Sequence, residues 1–156
     1  MAVDLDFLAS GDKPALLALS DHELLSNMQS VLASLEYKMH VAADHEEFDR
    51  LFSGVQYPIV VIEDLFCATT RAENRTLTML QHMPMQLRRH AVVVLIGDSY
   101  ETMNTMQAYQ LSVHAVVHRG DLPGFGRILL KTLAENDFFL STYRDIQNRL
   151  AIGQSL

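Results

Sequence analysis

Glu63 and Asp64 are the first residues in this chain whose types and placing could do chemistry. They end an apolar run inside YPIVVIEDLFC, Tyr57 to Cys67. A run this short, opened by a proline and rich in Val and Ile, predicts a strand buried on both faces. Carboxylates at the end of such a strand are costly unless they are solvated, paired or in use. Similar runs end at Ser20-Asp21, at Gly97-Asp98 and at His118-Arg119. If these ends share one edge of a sheet, carboxylates from two strands can hold a hard divalent cation such as Mg²⁺. A carboxylate there can also act as a phosphoryl-accepting nucleophile. The plainer alternative is a solvated strand end, with Arg119 pairing only with Asp121.

The elements that must position these residues are legible in order. ALLAL, Ala15 to Leu19, predicts the first strand. Ser20 and Glu23 have the spacing of a capping box, so a helix should start there, with Leu24, Leu25, Met28, Val31, Leu32 and Leu35 on one face. YKMHVAA predicts the second strand, and DHEE at Asp44 to Glu47 starts a short second helix. After the third strand, ATTRAENR leads into a helix carrying Leu77, Leu80 and Met83 and disturbed near Pro84. AVVVLIG is the fourth strand, and a fourth helix follows with Met103, Met106 and Tyr109. VHAVVH is the fifth strand, and a last helix runs from about Leu122 to about Ala151. Five strands alternating with five helices predict an α/β fold, a doubly wound five-stranded parallel sheet with flavodoxin-like order 2-1-3-4-5. Residues 1–13 read as a leader, 14–135 as the domain, and 136–156 as a C-terminal helical extension. In such folds the working site lies at the carboxyl ends of the strands.

Bulk composition narrows the function. The 156 residues carry 12 Lys and Arg against 19 Asp and Glu, a net charge of −7. That balance argues against nucleic acid as partner, because polyanion binding draws on clustered cations. One cysteine excludes an internal disulfide and a multi-thiolate metal site. No apolar run approaches the ~20 residues of a membrane helix. The start, MAVDLDFLASGDKP, lacks a basic stretch ahead of an apolar core and so does not read as a signal peptide. A cytoplasmic location is the default expectation.

The element order, the EYKMHVAA spacing and YPIVVIED together resemble the receiver domains of two-component response regulators, over roughly Lys13 to Leu133. The resemblance implies a signalling module. Receivers carry an acidic pair after strand one, a phospho-accepting Asp after strand three, a Ser or Thr after strand four and a Lys-Pro after strand five. Mg²⁺ sits between the acids and the acceptor.

This sequence departs from that pattern at nearly every chemical position. The acidic pair falls on Leu19-Ser20, with Asp21 one place late. Ungapped counting puts Glu63 at the acceptor position, with Asp64 the other candidate. Gly97 takes the place of the hydroxyl, and Arg119-Gly120 that of Lys-Pro. Without two acids beside the acceptor, the Mg²⁺ that would offset phosphoryl charge is poorly held. A Glu nucleophile is misplaced by over ~1 Å, enough to cost about 10²-fold. Arg119 keeps the charge but is planar and forked where Lys is compact. A Glu63 to Arg119 ion pair would hold the pocket permanently in something like the phosphorylated arrangement.

The remaining features read mainly as structure. His114 and His118 are four apart, which on a strand separates them by roughly 13 Å, too far to share an ion. His22, His45, His82 and His90 fall near helix ends. Cys67 reads as a quiet, partly buried thiol. Met103 and Met106 fill the core or, as adaptable thioethers, serve a partner surface. In the last helix Phe139, Tyr143, Ile146 and Leu150 repeat at four, three and four, a short coiled-coil seam too brief to be stable alone. It should pack on a second copy or serve as a linker; the alternative is a break near Asn136-Asp137.

The first reading is therefore a non-catalytic pseudo-receiver without cofactor or metal, acting through homodimerisation and an output domain or partner protein. It would dimerise through its fourth helix, fifth strand and fifth helix. The alternative is a live phosphoryl-accepting receiver using Asp64 or Glu63 with Mg²⁺. A second alternative is a small flavodoxin-like enzyme or nucleotide binder.

Overall fold

The computed structural model describes residues 8–153. The first seven residues of the expected leader and the last three of the expected extension lie outside the described residues. Five parallel strands form one sheet: β1 (Lys13–Ala18), β2 (Tyr37–Val41), β3 (Ile59–Glu63), β4 (Val92–Gly97) and β5 (Ala115–His118). Their order is β2-β1-β3-β4-β5. β3 lies between β1 and β4, with Val61 beside Leu17 and Val94. The central strands are apolar throughout because both their faces are covered.

Two layers of helices cover the sheet. On one face lie α1 (His22–Ser34) and α6 (Phe125–Ala151), whose Leu24, Met28, Leu32, Phe125 and Leu129 pack on Leu17, Val61, Val94 and Val117. On the other lie α2 (His45–Gly54), α3 (Arg75–His82), α4 (Met85–Arg88) and α5 (Thr105–Gln110). Phe48, Leu51, Phe52, Leu77, Leu80 and Ala108 there meet Leu16, Val60, Ile62, Val93 and Leu95. Neighbouring strand residues thus serve opposite layers, the period-two rule of the pleat.

Local signals explain the boundaries, with three corrections. The cap of α1 is Asp21, whose carboxylate accepts from Leu24 N–H at 3.0 Å; Ser20, the expected cap, lies one residue outside. Pro84 does more than disturb the third helix. It ends α3 and opens the separate α4, so among the described residues six α-helices stand where five were expected, as a proline ring cannot continue a helix interior. Met103 precedes α5 in a left-handed conformation, φ 63°, and its side chain packs against the α1/α6 layer. Only Met106 and Tyr109 of the three expected on that helix project from it, both exposed. The last helix is continuous through Asn136 and Asp137.

Among the described residues, no helix is long and apolar enough to cross a membrane.

Candidate functional site

Three strand ends and one loop converge at the carboxyl edge of the sheet. Glu63, the last residue of β3, points toward the α1/α6 layer as Ile59 and Val61 do, and is only 4% exposed. Its Oε2 accepts from the backbone N–H groups of Ser20 at 2.8 Å and Asp21 at 3.2 Å. Its Oε1 accepts from the Arg119 guanidinium at 2.7 Å. A buried carboxylate is tolerable on these terms, because every oxygen has a donor.

Arg119 follows β5 and reaches across the edge. One terminal nitrogen donates to Glu63 and the other to Asp21 Oδ2 at 3.0 Å. Its Nε faces Asp98 Oδ1 at 3.4 Å. One guanidinium therefore bonds the ends of β1 and β3 through its planar fork and stands within ion-pair distance of Asp98, just after β4. The Glu63 hydrogen bond holds the Arg119 proton more tightly than usual. Asp21 is kept below the ordinary carboxylate range, first by the Leu24 N–H it caps and then by Arg119, against an opposing desolvation cost.

Asp64 faces the other way. Its backbone N–H donates to Ile96 O at 3.0 Å, and the residue is 8% exposed. Burial raises the pKa of its carboxyl, and a hydrogen bond from Tyr100 partly offsets this. Gly97 is what makes room: a Cβ added there would stand 2.5 Å from Asp64 Oδ2 and 2.7 Å from a Tyr100 ring carbon. Any side chain at this position would have to displace Asp64 or Tyr100. Asp64 also borders an open cavity of about 640 Å³ with Arg71, Thr78, Gln81, Asp98 and Ser99.

Asn74 fixes the strand end from below. Fully buried, it caps α3 through Leu77 N–H and donates to the carbonyls of Glu63 and Asp64 at 3.0 and 3.1 Å. Ser20 accepts from Cys67 N–H at 2.9 Å, closing the loop over the site. Cys67 itself is exposed, with φ 47°, where a partly buried thiol was expected. Sequence reasoning missed Asn74, Tyr100 and Arg71. The only signal for Asn74 was an Asn three residues before the apolar Leu77, a capping spacing.

Comparisons with known proteins follow the fold. No family model and no curated protein matches the chain. Solved structures do. A CheY-like response regulator receiver domain protein from Methanospirillum hungatei JF-1 is 12% identical, with a TM-score of 0.62 over 81% of this chain and 98% of that one. The signal receiver domain of an HD domain-containing protein from Pseudomonas fluorescens Pf-5 is 14% identical, with a TM-score of 0.63 over 86% and 96%. A CheY-like protein, tadZ, from Pseudomonas aeruginosa PAO1 is 17% identical, with a TM-score of 0.56 over 78% and 99%. At these identities the likeness shows the fold, which is that of CheY-like receiver domains.

The Mg²⁺ that such pockets hold does not fit the residues present here. Both Glu63 oxygens already take N–H donors, Asp21 Oδ1 caps α1, and Asp21 Oδ2 takes Arg119. A guanidinium stands among the oxygens that a divalent cation would need. Among the described residues, no three His, Cys, Asp or Glu side chains are placed to bind a metal together.

Proposed function

We propose that this chain is a pseudo-receiver, a signalling module that uses the receiver fold and acts through protein–protein contacts, without phosphoryl transfer. One observation carries the reading. Arg119 bonds Glu63 at 2.7 Å and Asp21 at 3.0 Å, so a built-in cation and its carboxylates fill the space that metal and phosphoryl oxygens would share. Gly97, at the hydroxyl position, is held as glycine by Asp64 and Tyr100, so no side chain there could follow a phosphoryl group. The output is a partner protein or a further domain, and the module self-associates. The exposed Met106 and Tyr109 of α5 form one candidate contact surface.

Beryllium fluoride with Mg²⁺, a phosphoryl mimic, tests this. The melting temperature of the chain is expected to stay unchanged, because a ligand that binds only the native state raises stability by RT ln(1 + [L]/Kd). A clear rise would contradict the proposal.

Asp64 supports a second reading, phosphoryl acceptance, because Arg119 bonds Glu63 and Asp21 in its place and it borders a cavity with Arg71 and Ser99. Against it stand the residue's 8% exposure and its Tyr100 hydrogen bond.

A further inference from the structure

The stripe that docks α6 on the sheet does not stop where the sheet stops. Phe125, Leu129 and Thr132 are its buried residues. Asn136, Phe139, Tyr143, Ile146 and Leu150 continue the same face at spacings of four, three, four, three and four. Asn136 lies beside His114, and Arg89 both donates to the Tyr143 hydroxyl and stacks 5.1 Å from its ring centre. The face carrying Tyr143 is therefore turned toward the domain. Below Asn136 the helix runs on for about 22 Å, and apart from the Arg89 contact with Tyr143 its seam faces solvent. Phe139 is 76%, Tyr143 39%, Ile146 37% and Leu150 59% exposed.

We infer that this seam, Phe139 to Leu150, pairs antiparallel with the same segment of a second copy of this chain. The inference builds on the proposed self-association and names its surface, and it stands whether or not the pocket accepts phosphate.

Three observations select this occupant and this direction. The spacing is self-matching: about a midpoint between Arg144 and Asp145, Phe139 comes level with Leu150 of the second copy, and Tyr143 with Ile146. The domain lies on the seam side of its own helix. In a parallel pair each domain would stand where the other helix must pass, whereas in an antiparallel pair the domains lie at opposite ends. Finally, the helix ends by design of its sequence. Gly153 adopts φ 75° and its N–H returns to Leu150 O at 3.2 Å, a left-handed glycine stop. That stop places the second copy's last turn level with Asp137, just short of the sheet edge. The exposed Leu150 and Ile152 then arrive near α4, whose Met85 and Leu87 are also exposed. Side chains of this size on both copies give a total on the order of the ~1,000 Å² a specific interface requires.

Light scattering on the chain is expected to give twice the monomer mass, falling to the monomer mass in Ile146→Asp with the thermal transition of the domain retained. A monomeric parent chain, or an Ile146→Asp variant that stays dimeric, would overturn the seam. Direction is read by spin labels on Glu135→Cys in a Cys67→Ser background. The antiparallel pair places the two labels about 30 Å apart along and across the helices, while a parallel pair brings them within about 15 Å. The short distance would overturn the proposal.

Discussion

Glu63 and Arg119, 56 residues apart in the chain, meet at 2.7 Å at the carboxyl edge of the sheet, with the Glu63 side chain only 6% exposed. The pair is not an isolated surface contact. Glu63 also receives two backbone N–H groups from the β1–α1 turn, and Arg119 also holds Asp21. The first turn of α1 and the end of β3 are thereby locked to the loop after β5.

Breaking one side of this pair leaves a buried carboxylate short of a donor. Arg119→Met is expected to destabilise the fold by about 1–3 kcal/mol, read from the midpoint of a urea transition. Glu63→Gln in the same background should cost clearly less than the sum of the single changes. Additive costs would mean the two side chains do not interact.

A hydroxyl side chain at position 97 should be resisted on steric grounds. Gly97→Ser places a Cβ against Asp64 and Tyr100, and overpacking of this kind costs about 1–3 kcal/mol. Asp64→Ala, which removes the nearer neighbour, is expected to recover part of that loss. A Gly97→Ser variant as stable as the parent would show that the edge is looser than described.

Acid should act partly through His114. Burial, helped by nearby Arg88, pushes its pKa from 6.5 down to about 4, and its Nδ1 accepts from Val93 N–H at 3.0 Å. The folded state therefore binds fewer protons than the unfolded chain between these values. The contribution is fully present above pH 6.5 and is lost as pH falls toward 4, by up to about 3 kcal/mol. The urea midpoint should drop across this window, and His114→Gln should flatten the drop. An unchanged profile in the variant would exclude His114 as the cause.

Arg88 is the buried cation of the opposite edge. It is 4% exposed and donates to Leu80 O and Ser112 O, each at 2.7 Å, joining the end of α3 to the turn after α5. Arg88→Met is expected to cost about 2–3 kcal/mol through two unsatisfied carbonyls, while Arg127→Met, on the exposed side of α6, should be near neutral. Equal effects would contradict a bridging role.

The strands were legible because unbroken Val and Ile runs have few other uses, and Asp44 and Pro84 marked helix limits through their own side-chain chemistry. The site was legible only in part. Sequence placed Glu63, Asp64, Asp21 and Arg119 at one edge, but not the facing of Glu63 against Asp64, which depends on where in the pleat the strand ends. Ser20 and Asp21 are both competent caps, and the choice between them came from Arg119 and Glu63, which are distant in sequence. Arg88 sits in RRH beside an equally charged Arg89, and nothing local says which of the two is buried. Met103 left its helix because the left-handed turn before Asn104 is fixed by a bond from its N–H to Val116 O, a long-range contact.

Intact mass after incubation with acetyl phosphate and Mg²⁺ tests the closed pocket most directly. The account predicts no change in mass for the parent chain. A stable gain of one phosphoryl group, abolished by Asp64→Asn or Glu63→Gln, would contradict it.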